Sequence, residues 1–180
     1  ALSEAHETRD DLAMGTALKA ACLAAARPCD AERQLELAAE LATVSERLGD
    51  EEGAATALCT RRQAELQIGA DRPHETQAQI RLGATAATHA AARSYYEIWS
   101  AGGPILTGDL AAAEVELANL PAAMAGYVGN VSFIHAVYPS YLFTVRWMQG
   151  RLAEVLPLVA AAAEAMAELA TWTSALAMAR

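Results

Sequence analysis

A glycine turn between two helical patterns recurs along this chain and constrains the fold more than any other feature of the sequence. Gly108-Asp109 joins an apolar helix end to an alanine-rich helix start, and Gly49-Asp50 repeats that arrangement closely. Gly69-Ala70-Asp71 and Gly150-Arg151 are looser copies. Glycine just past a helix can take the left-handed conformation that closes it, and aspartate can cap the next helix. Each turn therefore predicts an antiparallel pair of helices.

The spacing of these turns predicts an array of helical hairpins. Gly69, Gly108 and Gly150 are separated by about forty residues, close to the period of helical-hairpin repeats. Alanine and leucine dominate a hydrophobic content of 54% and favour helix over strand. We therefore predict an all-α fold, a right-handed α-solenoid of antiparallel helix hairpins with about eight or nine helices. Residues 1–180 are expected to form a single helical-repeat domain.

The charge of the chain excludes direct binding of nucleic acid. The formal net charge is −9, and Lys19 is its one lysine. Phosphate backbones are bound by clustered lysine and arginine, and this sequence has no such cluster. We expect no nucleic acid among the partners.

One long segment lacks charged residues but does not read as a membrane span. No Asp, Glu, Lys or Arg lies between Glu116 and Arg146. A bilayer crossing needs about 20 unbroken apolar residues, and this segment is interrupted by Pro121, by a Gly129-Asn130 turn and by Pro139. A buried helical hairpin is the better interpretation, and no membrane partner is expected.

The three cysteines indicate a cytoplasmic protein without a metal site. Cys22, Cys29 and Cys59 are an odd set, and neither a CxxC pair nor a Cys/His ligand spacing is present. Reduced and largely buried thiols are the plain interpretation. Because the chain opens without a methionine or a signal peptide and stops inside a helical pattern, we expect it to be part of a longer polypeptide.

No pattern in the sequence predicts catalysis or a cofactor. Asp10-Asp11 and Asp50-Glu51-Glu52 are paired acids, but both lie at helix starts, where capping and the helix dipole explain them. The HExxH, GxSxG and glycine-rich phosphate-loop motifs are absent. We predict that the chain is not an enzyme and holds no cofactor.

Two arginines lie on or beside the apolar face of the helix predicted over about residues 51–68. The stems of Arg61 and Arg62 can pack while their guanidinium groups reach solvent or pair with Glu36 or Glu40. Alternatively, one of them lies in a groove that receives an anion. The sequence leaves both interpretations open.

The aromatic residues are confined to the second half of the chain. All ten lie between Tyr95 and Trp172, whereas 15 of the 22 acidic residues precede position 76. Most rings should fill the core, with Phe143 and Trp147 as the best core candidates. The tyrosines, whose hydroxyl groups need water or a partner, are better candidates for a concave groove. The predicted partner or ligand surface comprises Arg61, Arg62, Tyr95, Tyr96, Trp99, Tyr138 and Tyr141.

The hairpin around Gly108 resembles a degenerate tetratricopeptide repeat. Gly108, Asp109 and Ala113 match the turn and the small residue of the second helix, while Leu117 and Leu120 supply bulky packing residues. In detail the chain resembles the tetratricopeptide-like region of large multidomain bacterial regulators. In those proteins an ATPase module, sometimes preceded by a nucleotide-cyclase domain, is followed by helical repeats and sometimes by a LuxR-type DNA-binding domain. The residues that carry this resemblance are 35–38, 47–50, the turn at Gly108 and above all 145–158.

The resemblance implies a noncatalytic sensor or scaffold segment of a cytosolic signal-transduction or transcription regulator. No GxxxxGK[ST] loop, cyclase core or basic helix-turn-helix is present in these 180 residues. Expected partners are proteins, flanking domains of the same chain, or a small-molecule effector. The alternative is a small-molecule-binding helical protein that uses an aromatic-lined pocket in the second half.

Overall fold

The computed structural model describes residues 2–8, 10–25, 30–70, 73–125, 131–165 and 170–179, which fold entirely into helices and turns. No strand occurs within these ranges, and the all-α prediction is confirmed. Cys29 and the predicted Gly129-Asn130 turn lie outside them. The eleven α-helices in the described ranges are α1 Leu2–Thr8, α2 Asp11–Ala24, α3 Ala31–Leu48, α4 Glu51–Gln67, α5 Pro73–Ala86, α6 Ala90–Ser100, α7 Gly103–Thr107, α8 Leu110–Ala125, α9 Val131–Met148, α10 Leu156–Ala165 and α11 Ala170–Ala179, with a 3-10 turn at Leu152–Glu154.

The structure has more helices than the eight or nine expected, mainly because of two short ones. The helix α1 precedes the first helix that the sequence predicts. The helix α7 is separate because α6 ends at Ser100 and a new helix begins at Gly103. Pro104 lies in the first turn of α7, where a missing N–H group costs nothing. Because Pro104 lacks the N–H group that a continuous helix needs, the sequence predicts a kink or break one turn before the Gly108 turn, and the structure has this break.

All four glycine turns adopt the predicted left-handed conformation. The φ angles are 66° at Gly49, 63° at Gly69, 73° at Gly108 and 70° at Gly150. At each turn the residue after the glycine donates its N–H to the carbonyl five positions earlier, which closes the helix end. These four bonds are Asp50 to Ser45 at 2.9 Å, Ala70 to Glu65 at 2.9 Å, Asp109 to Pro104 at 3.0 Å and Arg151 to Arg146 at 2.7 Å.

Aspartate side chains cap the N-termini of three helices, α2, α4 and α8. Asp10 accepts from the N–H groups of the first turn of α2, Asp50 accepts from Gly53 at 3.0 Å, and Asp109 accepts from Ala112 at 3.0 Å. The sequence also predicts Asp30 as a cap for the helix that follows it, but its side chain makes no capping hydrogen bond to α3. Only the backbone carbonyl of Asp30 bonds to the first turn of α3, where it accepts from Gln34 N–H.

The chain divides into two compact units, Ala1–Ser100 and Ala101–Arg180. In the first unit each helix packs against its neighbour in sequence, and α4 also packs against both α2 and α6. The most extensive of these contacts joins α3 to α4. Leu18, Leu41 and Val44 lie in the core between α2 and α3. A single solenoid domain over 1–180 stays a prediction.

The buried face of α2 is not the one that the sequence pattern favours. The sequence periodicity predicts an apolar stripe of Leu12, Ala13, Thr16, Ala20 and Leu23, but Leu12 is 70% exposed and Leu23 48%. Met14, Leu18 and Cys22 are buried instead. Since α2 carries small or apolar residues on nearly every side, its periodicity does not decide which face meets α3.

The second unit buries a core between α10 and α11. Val159 and Trp172 lie at its centre, and Phe143 of α9 packs against it. Trp147, predicted to be a core residue, is 54% exposed. Val145 takes the inward position in this turn of α9, and a residue two places further along a helix faces roughly the opposite side. Arg146 ties this turn to α8 through an ion pair with Glu114.

None of the helices in the described part of the chain combines the length and apolar character needed to cross a membrane.

Candidate functional site

The structure places the seven candidate residues on three helices. Arg61 and Arg62 lie on α4, and Tyr95, Tyr96 and Trp99 lie on α6, all within the first unit. Tyr138 and Tyr141 lie on α9 of the second unit, where both are half-buried. Five of the seven candidates therefore lie close together, on the contacting helices α4 and α6 of the first unit.

The two arginines, adjacent in sequence, have different environments. Arg61 is exposed, and its Nε donates to Glu65 Oε1 at 2.6 Å. Arg62 is 3% exposed, with its guanidinium carbon 5.9 Å from the ring centroid of Trp99. A guanidinium over an indole face is attracted by the ring quadrupole, so Arg62 joins α4 to α6 as a packed cation.

The partners that the sequence suggested for these arginines are engaged elsewhere. Glu36 accepts from Arg33 at 2.8 Å, and Glu40 Oε1 lies 2.5 Å from His6 Nε2. The partner of Arg61 is Glu65, one turn further along α4. Glu65 is buried and also accepts from Thr76 Oγ1 of α5 at 2.5 Å, which ties α4 to α5.

Tyr96 is a packing residue that also reaches the surface of a groove. It is 9% exposed, and a Cβ added at Gly83 would lie 2.7 Å from its ring, so α5 and α6 approach closely there. Burial raises the pKa of Tyr96, and Cys59 and Glu51 act in the same direction. Tyr95 is also buried, with its ring centroid 6.3 Å from that of Trp99. The main role of the buried α6 tyrosines is therefore packing between helices.

An open groove of about 820 Å³ runs along the α3–α4 hairpin, and we call it the α3–α4 groove. Of the seven candidate residues, Arg61 and Tyr96 line it. Half of the lining residues are alanine or leucine, whose short or apolar side chains leave a trough between the two helices. Its apolar lining residues include Leu35, Ala39 and Ala42 of α3 and Ala54 and Leu58 of α4.

One end of the groove, next to the glycine turn at Gly49, carries three carboxylates: Glu46, Asp50 and Glu51. We call this the acidic end. Burial acts to raise the pKa of Asp50, but hydrogen bonds from Gly53 N–H and Lys19 outweigh it, and the pKa is lowered. Lys19 Nζ lies 3.1 Å from Asp50 Oδ2.

Glu51 caps a helix to which it does not belong. Its carboxylate accepts from Thr88 Oγ1 at 2.5 Å, Thr88 N–H at 2.8 Å and His89 N–H at 2.7 Å, directly before α6 begins. The bond from the Thr88 hydroxyl, followed by that from His89 N–H, lowers the pKa of Glu51. Sequence reasoning assigned Glu51 only to the first turn of α4, because its partners are 37 and 38 residues away.

The titratable residues near the groove do not form a metal site in the described part of the chain. Within the described ranges, no three His, Cys, Asp or Glu residues come together in a way that would hold a metal ion. Cys59 of α4 is buried, and burial raises the pKa of its thiol well above the usual range. The available surface is therefore an apolar trough with negative charge at one end. Ala39, Ala42 and Glu46 were not candidates from sequence, because alanine and an exposed glutamate carry no local signal.

Comparison with known proteins identifies no relative: no family model, curated protein or solved structure matches the chain. The groove and its charges are therefore the basis for assigning a function.

Proposed function

We propose that this chain is a noncatalytic, tetratricopeptide-like scaffold or sensor segment of a cytosolic signal-transduction or transcription regulator. In that role it binds a protein, or a flanking domain of the same polypeptide, in the α3–α4 groove. The finer fold, a right-handed α-solenoid of hairpin repeats, is part of the same proposal.

The α3–α4 groove is the observation that carries the proposal. Ala39 and Ala42 are exposed there, so an apolar strip faces solvent along α3. Helical arrays use such concave surfaces to bind partners, and an amphipathic helix laid in an apolar groove is a common mode of recognition.

The packing of the first unit supports the repeat interpretation. Helices there contact their sequence neighbours, and α4 also contacts the alternate helices α2 and α6. Stacked hairpins produce this pattern because each repeat touches only the repeats beside it. The left-handed glycines at Gly49 and Gly69 close α3 and α4 in the same way.

The first test is the polypeptide encoded on either side of residues 1–180. An ATPase module beside this segment is expected, and a parent protein without further domains would overturn the regulator proposal.

The second test places a photo-crosslinking amino acid in the groove of the longer chain. Ala42 is the test position, and Ala78, exposed on α5 and outside the groove, is the matched control. Crosslinks from Ala42 to a flanking domain or a partner protein, and none from Ala78, are expected. Equal crosslinking from both positions would count against the groove as the binding surface.

A further inference from the structure

The α3–α4 groove has an apolar length and a charged end. On α3 its lining runs from Leu35 to Glu46, a length of about 16 Å at the rise of an α-helix, or three turns. Ala54 and Leu58 of α4 face this strip. At the opposite end from Glu46, the charge of Arg61 is offset by its ion pair with Glu65. Negative charge is therefore concentrated at the acidic end.

Cations in the described structure do not balance that end. Glu46 is exposed and forms no ion pair within the described part of the chain. Asp50 is paired with Lys19, whereas Glu51 is held by the hydroxyl and N–H groups of Thr88 and His89, which carry no charge. Since the pKa values of Asp50 and Glu51 are lowered, both side chains are ionised at neutral pH. Three carboxylates thus face one ammonium group.

A buried hydroxyl at the acidic end also lacks a partner. Ser45 lines the groove and is 2% exposed, and its Oγ has no hydrogen-bond partner among the described residues. Gly53 leaves the space that this hydroxyl occupies, since an added Cβ would lie 2.2 Å from Ser45 Oγ and 2.7 Å from Asp50 Oδ2. An unsatisfied buried polar atom carries a desolvation cost that a bound donor removes. An ammonium or guanidinium group supplies such donors.

The surface of the groove favours a helical partner over an extended one. Both walls are α-helices, whose backbone groups are already bonded, and alanine side chains offer neither donors nor acceptors. An extended peptide laid there would leave without partners those of its N–H and C=O groups that face the apolar walls. A helix satisfies those groups internally and can bury an apolar face.

We propose that the α3–α4 groove binds a three-turn amphipathic helix that lays alanine- and leucine-sized side chains along Ala39, Ala42 and Leu58 and places a lysine or arginine at Glu46 and Asp50. This assignment rests on the proposed function and names the partner's chemistry. The carboxylates of the acidic end attract the positive N-terminal end of a helix dipole as well as a cationic side chain, so the first turn of the bound helix is placed there.

The test uses the whole chain and three synthetic helical peptides of about twelve residues, stapled on the solvent face to hold the helix. They share an alanine/leucine face and differ only in the first turn, which carries two lysines, two glutamines or two glutamates. Binding is measured by fluorescence anisotropy at low and high salt. The lysine peptide should bind at least tenfold more tightly than the glutamate peptide, with an affinity that falls as salt is added.

Three variants locate the site. Glu46→Gln should weaken binding of the lysine peptide about twofold to fivefold, as expected for one exposed ion pair. Glu36→Gln removes the same charge from α3 outside the groove and should leave binding unchanged. Ala42→Trp should abolish binding by filling the trough, and because Ala42 is exposed the variant should melt like the parent.

Other results would overturn the inference. Equal binding of all three peptides, blocked by Ala42→Trp, would mean a helix site without cation recognition and would leave the proposed function standing. Equal weakening by Glu46→Gln and Glu36→Gln would mean that net charge acts at long range. Absence of binding, or binding that Ala42→Trp leaves intact, would also reject the site, while the crosslinking experiment judges the proposed function separately.

Discussion

At Gly108 the backbone has a φ angle of 73°, and a Cβ added there would meet nothing within 4 Å. Any cost of a side chain at this position is therefore backbone strain alone. Gly108→Val should destabilise the protein by about 1–2 kcal/mol, because β-branched residues strongly disfavour the left-handed region. Urea unfolding measures the change. Gly108→Asn is the control, since asparagine tolerates this conformation, and equal losses for the two variants would refute the strain account.

The sequence predicted Trp147 in the core and Tyr96 at a groove surface, but the structure buries Tyr96 and exposes Trp147. Tyr96 is buried against Gly83, whereas Trp147 is exposed in the last turn of α9. Tyr96→Ala should therefore cost about 3–5 kcal/mol through lost burial and a cavity. Trp147→Ala should cost about 1 kcal/mol or less. Thermal melts of both variants measure the two losses, and a larger loss for Trp147→Ala would contradict the burial of Tyr96 and the exposure of Trp147.

Between elements, two helix-interior glycines provide a matched comparison. A Cβ added at Gly15 in α2 would lie 3.4 Å from the nearest atom and so has room, whereas one added at Gly83 in α5 would lie 2.7 Å from the Tyr96 ring. Gly15→Ala should stabilise by about 0.5–1 kcal/mol through helix propensity. Gly83→Ala should destabilise by about 1 kcal/mol, because overpacking outweighs that gain.

The control for this pair is the Tyr96→Ala background, which removes the ring. There Gly83→Ala should become stabilising, and the two substitutions should be strongly non-additive. Additive effects in denaturant unfolding would show that Gly83 and the Tyr96 ring are not in close contact across α5 and α6.

The cap that Glu51 provides for α6 predicts a pH dependence of stability. Its folded pKa is lowered, so its contribution is present above the ordinary glutamate pKa of about 4.3 and is lost as pH falls through the folded value. Glu51→Gln should lower the melting temperature at pH 7, and its difference from the parent should shrink below about pH 4. Glu52→Gln, in the same turn of α4, is the control. The same loss and pH profile in both variants would exclude a specific cap.

At the scale of the whole molecule, the first unit, Ala1–Ser100, is compact and has a hydrophobic core of its own. Its core clusters around Leu18, Leu41 and Val44, and α5 packs on both α4 and α6. A fragment of residues 1–100 should therefore be helical and unfold cooperatively, with a free energy of about 5 kcal/mol or more.

A fragment of residues 1–70 is the comparison for that test. It lacks α5 and α6, and with them Thr88 and His89, which Glu51 caps, and the Tyr96 wall of the groove. Circular dichroism during urea unfolding should show a markedly weaker transition. If residues 1–100 unfold no more cooperatively than 1–70, the unit is not autonomous.

Local features of the fold were predictable because the bonds that make them lie within a few residues. The turn at Gly108 needs a residue that accepts positive φ and a hydrogen bond from Asp109 to Pro104, all inside one helix end. Asp50 caps α4 through Gly53, three residues away. Asp30 shows the limit of such reasoning, since a residue with capping chemistry makes no side-chain cap.

The candidate site was predictable only in part. Arg61 and Tyr96 line the α3–α4 groove, but the groove also depends on Ala39 and Ala42, which look like ordinary helix formers in sequence. The acidic end depends on Glu51, whose hydrogen-bond partners Thr88 and His89 are distant in sequence. Only the packing of separate helices brings these residues together.

The sequence by itself determined that this protein is helical and where many of its helices begin and end, because glycine conformations, aspartate caps and alanine propensities act over a single turn. Tertiary structure decided which faces were buried. It turned Met14 and Leu18 of α2 inward in place of Leu12, and left Trp147 in solvent. The reason is that α2 is apolar on nearly every side, so the energy that chooses among its faces comes from the shape and burial offered by neighbouring helices.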